Sequence, residues 1–97
     1  MFLHFVNPND MSWEVIIVED VKLELKGTEE IFRAEIPEAE VIGTAMTEEE
    51  FWPLMEKQLP DMVLLDLGLG GSTTIGVDIC RHIRQRFPSV KGLIFTG

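Results

Sequence analysis

Val15-Ile16-Ile17-Val18-Glu19-Asp20 and Met62-Val63-Leu64-Leu65-Asp66 are the two stretches that decide the fold. Each is a short apolar run that closes on carboxylates. Runs of this length without polar alternation suit strands buried on both faces, as in a parallel sheet. Downstream of the first run, Val21, Leu25, Thr28, Phe32 and Ile36 recur at helical spacing until Pro37 stops the pattern, with Gly27 as a weak point. Residues 40–46 read as a second strand. Thr47 with Glu50 three positions on forms a capping box, which predicts a helix running to about Leu59 before Pro60. Pro53 lies inside it and lacks an N–H, so this helix is expected to kink or to start late.

Beyond Asp66 a glycine-rich loop runs from Leu67 to Ile75. Val77, Cys80, Ile83 and Phe87 then mark one face of a third helix ended by Pro88, and residues 91–97 read as a fourth strand. The order strand-helix-strand-helix-strand-helix-strand predicts parallel strands joined by right-handed crossovers, an open doubly wound α/β sheet with helices on both faces. In such sheets the ligand site lies beyond the carboxyl ends of the strands.

Glu19, Asp20 and Asp66 stand at those ends. Three carboxylates at one rim need protons or a counter-charge, and Mg²⁺, which takes one or two carboxylates together with water and phosphate oxygens, suits the set. A competing explanation for Asp20 is the N-cap of the helix that follows it. The segment Gly68-Leu69-Gly70-Gly71-Ser72-Thr73 lacks the lysine of a P-loop and reads instead as a flexible or metal-facing loop. Thr96, at the end of the fourth strand, is either a hydroxyl in reach of a phosphoryl group or simply a β-forming residue.

With 97 residues the chain is long enough for one domain only. Its net charge of −9 repels phosphate backbones, so no direct nucleic-acid binding is expected. That charge is uneven: residues 1–77 carry a net −12 and residues 78–97 a net +3. Arg81, Arg84, Arg86 and Lys91 thus form either a solvated helix face or a surface for an acidic partner. Cys80 reads as a small reduced core residue, and His4 and His82 show no metal-ligand spacing. No stretch is apolar enough to span a membrane and no targeting signal precedes the body, so a cytoplasmic location is expected. Asn7-Pro8-Asn9-Asp10 sets residues 1–12 apart as an N-terminal extension.

Taken together, Val15–Asp20, Val63–Asp66, Gly76-Val77-Asp78, Ile83-Arg84 and Ile94-Phe95-Thr96-Gly97 resemble the receiver domain of bacterial two-component response regulators, from about Trp13 to Gly97. The resemblance implies a flavodoxin-like fold with strand order 2-1-3-4. It also implies that Asp66 accepts a phosphoryl group from a phosphohistidine on a histidine kinase or phosphotransfer protein. Glu19, Asp20, Asp66 and the carbonyl of Gly68 would hold Mg²⁺, and Thr96 would move toward the phosphoryl group. The activity is at most Mg²⁺-dependent self-phosphorylation on Asp66.

The family pattern continues past the fourth strand with a further helix, a lysine-bearing fifth strand and a last helix, so residues 13–97 are expected to be a truncated receiver domain. Neither Lys22 nor Lys91 stands at that lysine's place. An unpaired fourth strand predicts a homodimer, formed by edge pairing or strand exchange, to which the apolar segment Phe2–Val6 contributes. The alternative function is a receiver-derived dimerisation or docking module that is not phosphorylated.

Overall fold

The computed structural model describes residues 13–71 and 73–95. The extension 1–12, with its Phe2–Val6 segment, and Thr96 lie outside the described residues. Among the described residues four strands and three α-helices alternate: β1 Trp13–Val18, α1 Lys22–Glu35, β2 Ala39–Ala45, α2 Glu48–Lys57, β3 Met62–Asp66, α3 Thr73–Arg86 and β4 Lys91–Phe95. The strands form one parallel sheet in the order β2-β1-β3-β4.

The apolar runs occupy the centre of the sheet because strands covered on both sides have no face for water. Val15 to Val18 and Val63 to Leu65 are all buried. Their alternate side chains divide into two cores. Ile16, Val18, Val63 and Leu65 meet Phe51 and Met55 of α2 and Ile79 and Ile83 of α3. Val15, Ile17 and Leu64 meet Leu25 and Phe32 of α1. Each central strand thereby feeds both layers, which is why neither run alternates with polar residues.

The β1–β2 register shifts by one residue between Val15↔Val41 and Ile16↔Gly43. A Cβ at Gly43 would lie 3.2 Å from Leu54 of α2, so glycine lets that helix approach the sheet. The amino ends of β1, β3 and β4 are tied through Asp61. Its carboxylate accepts the Glu14 N–H and its carbonyl accepts the Lys91 N–H, at 2.8 and 3.0 Å.

Three expectations need correction. The helix carrying Pro53 does not start late: Thr47 caps it at once, its hydroxyl accepting the Glu50 N–H at 3.2 Å. Glu50 reaches back to the Met46 N–H, and the helix runs through Pro53, which is exposed. Only one carbonyl, on the side facing water, loses its partner there. Next, α3 begins at Thr73, inside the stretch expected to be loop, after a tight turn at Leu69–Gly71. Finally, the expected α3 face holds except at its first position: Ile83 is buried and Cys80 and Phe87 pack against the core, whereas Val77 is 40% exposed and the buried Gly76 and Ile79 stand in its stead.

Candidate functional site

The carboxyl end of the sheet gathers the acids because β1 and β3 are neighbours in register, with Val18 opposite Leu65. Glu19 and Asp20 leave β1 just where Asp66 ends β3. One carboxylate oxygen from each of Glu19, Asp20 and Asp66 lies within 4.8 Å of the others. These are the three acids expected to converge. Gly68 follows in the turn after β3. Its carbonyl, the expected fourth ligand, accepts the Gly71 N–H at 2.9 Å and keeps a second lone pair. The structure does not test Thr96, but Phe95 before it is the register partner of Asp66 and accepts the Leu67 N–H at 2.7 Å.

The three carboxylates have different surroundings. Asp66 is 8% exposed, and its Oδ1 accepts the Gly68 N–H at 3.2 Å. Asp20 is half-buried, and its Oδ2 accepts the Gly70 N–H at 3.0 Å. It does not cap α1, whose N-cap is Val21 with no side-chain bond; the capping explanation for Asp20 is therefore set aside. Glu19 is fully buried. Its Oε1 accepts the Val21 N–H at 3.0 Å, while Oε2 has no hydrogen-bond partner among the described residues.

An ionised carboxylate in that position is costly. Burial lifts the Glu19 carboxyl from its ordinary 4.5 to about 7; the Val21 N–H opposes this rise, and the nearby Asp66 adds to it, both by its charge and as an acceptor for the Glu19 proton. A buried oxygen with no donor, facing two further carboxylates, is the donor set of a hard divalent cation such as Mg²⁺.

Sequence reasoning missed one member of the site. Gly70 has φ +67° and Gly71 φ +73°, a left-handed pair that turns the Gly70 amide toward Asp20. The paired glycines signalled a turn, but nothing in their spacing named the carboxylate they would meet. Away from the rim, Arg81, Arg84, Arg86 and Lys91 are all exposed. Arg81 pairs with Asp78 at 3.2 Å, and Arg86 lies over the rings of Trp52 and Phe87. No helix among the described residues is long and apolar enough to cross a membrane.

Residues 15–97 match the response regulator receiver domain. The chain belongs to that family. This receiver domain is 32% identical over 88 residues to the transcriptional regulatory protein DegU of Brevibacillus brevis; the match covers 91% of the chain and 36% of DegU. A two-component response regulator of the LuxR family from Aurantimonas sp. is similar in structure, with a TM-score of 0.75 and 29% identity, covering 88% of this chain and 59% of that one. The signal receiver domain of NarL from Mycobacterium tuberculosis shares the fold, with a TM-score of 0.77 at 21% identity over 89% of this chain and 67% of that one. The receiver domain thus spans about a third of the length of the curated relative it matches.

Proposed function

We propose that this receiver domain accepts a phosphoryl group on Asp66 from a phosphohistidine on a histidine kinase or phosphotransfer protein, with Mg²⁺, in cytoplasmic phosphorelay signalling. The observation that carries the reading is the buried, donorless Oε2 of Glu19 beside Asp20 and Asp66. Glu19, Asp20, Asp66 and the Gly68 carbonyl would hold the metal. Bound there, Mg²⁺ neutralises charge on the phosphoryl oxygens as anion meets anion.

The chain's own residues divide the remaining work. The Gly68 N–H holds Oδ1 of Asp66, leaving Oδ2 as the nucleophile. Attack by Oδ2 on phosphorus forms the acyl phosphate as the P–N bond to the donor imidazole breaks. The imidazole nitrogen leaves with the bonding pair, so the metal-ligand acids need not supply a proton. Thr96, next in the chain after the register partner of Asp66, is the hydroxyl proposed to approach the phosphoryl group.

The test is incubation with Mg²⁺ and acetyl phosphate, read by intact mass. Wild type should gain one phosphoryl group, while Asp66→Asn and a sample treated with chelator should gain none. An unmodified wild-type chain under conditions that label a known receiver overturns the proposal.

A second reading rests on a separate observation. Among the described residues β4 pairs only with β3, and Leu93 and Ile94 on it are exposed at 45% and 37%. A free apolar edge supports homodimerisation or docking independent of phosphorylation.

A further inference from the structure

We propose that Gly70 is a positioning residue for the metal site: its backbone N–H holds Asp20 in the orientation that faces Glu19 and Asp66. The inference rests on the metal reading above and assigns a role in it to the turn after β3.

The argument starts from repulsion. Three carboxylates converge within 4.8 Å, and before a cation arrives each gains by turning away from the others. Glu19 is fully buried and Asp66 nearly so, so packing restrains both. Asp20 is half-buried and adjoins solvent, which makes it the one acid with room to leave. The bond from the Gly70 N–H to Asp20 Oδ2, at 3.0 Å across fifty positions of sequence, works against that departure. It restrains the carboxylate's rotation and engages Oδ2 alone, so Oδ1 takes no part in the bond.

Two features favour glycine at this position, the backbone conformation foremost. The amide is aimed by a left-handed φ of +67°, a conformation that other residues rarely adopt. A Cβ on Gly70 would also lie 2.8 Å from Cδ1 of Ile75 in the first turn of α3. The neighbouring Gly71, with a φ of +73°, continues the turn, and its N–H goes to the Gly68 carbonyl rather than to Asp20.

The experiment compares Mg²⁺ affinity by titration calorimetry for wild type, Gly70→Ala and, as control, Gly27→Ala at an exposed position of α1 where a Cβ meets nothing within 4 Å, with a metal-free melt of each to establish folding. Loss of a group that orients a ligand weakens metal binding by about ten-fold or more. Gly70→Ala should show that loss, because alanine leaves the left-handed region and carries the N–H away from Asp20, and Gly27→Ala should stay within about two-fold of wild type. If Gly70→Ala does not fold, amide exchange in the wild type and Asp20→Ala decides. In metal-free protein, amide exchange at Gly70 should be slow and should accelerate in Asp20→Ala, with Gly71 unchanged. Equal weakening by the two alanine variants, or Gly70 exchange indifferent to Asp20→Ala, overturns the assignment of Gly70 alone. Failure of the wild type to bind Mg²⁺ overturns the metal reading and the inference with it.

Discussion

Glu19 combines full burial, one amide donor and an unpartnered oxygen, and its proton affinity follows from that setting. Its carboxyl titrates near 7 in the folded chain and near 4.5 when unfolded. The folded state therefore holds this proton more tightly. Its contribution to stability is full below about 4.5 and is lost as pH rises through about 7. Metal-free wild type should accordingly melt several degrees lower at pH 8 than at pH 5.5. Glu19→Gln keeps the shape and never ionises, so it should flatten that dependence and raise the melting temperature at pH 8. It should also weaken Mg²⁺ binding. Thermal melts across pH, with and without Mg²⁺, check the set. The three acids were legible because each ends a strand whose apolar run is unmistakable. The Gly70–Asp20 bond was not, since a loop's path across the rim is fixed by tertiary packing and left no periodic trace in the sequence.

Strands and helices were read more surely than the faces they bury. The apolar runs of β1 and β3 admit one interpretation, and the α1 spacing picked out Leu25 and Phe32, which are buried. For the start of α3 two phases fit. The series Val77, Cys80, Ile83, Phe87 and the series Gly76, Ile79, Ile83 both have helical spacing, and a glycine gives no apolar signal to favour the second. Packing decides: a Cβ at Gly76 would stand 3.3 Å from the Asp66 carbonyl, so the smallest residue marks the closest approach. Ile79→Ala, which empties a fully buried site, should cost about 2–5 kcal/mol in denaturant titrations. Val77→Ala, at an exposed site, should cost well under about 1 kcal/mol. The Thr47 cap of α2 was legible, although Glu50 takes the Met46 N–H rather than that of Thr47, and Thr47→Ala should lose about 1 kcal/mol by the same measurement.

At the scale of the whole molecule, the two cores are covered unequally. Among the described residues, α2 and α3 pack on one face of the sheet and α1 alone on the other. Leu93 and Ile94 of β4 are exposed on a strand that, among the described residues, pairs on one side only. The 97-residue chain should self-associate through this edge. Sedimentation velocity over a concentration series should show a rising average mass for wild type, and Ile94→Lys should shift it toward monomer. A wild-type monomer at all concentrations would remove the edge from consideration.

The contact between Gly76 and the Asp66 carbonyl also has a mechanical consequence. α3 has 14 residues, so it projects ~20 Å from its first turn, where it abuts the end of β3, to Arg86 at its far tip. A lever of that length turns a tilt of ~5° at the rim into a displacement of ~2 Å at the tip. A shift of the Asp66 carbonyl that tilted this helix would in this way be felt at its basic end, on the far side of the domain.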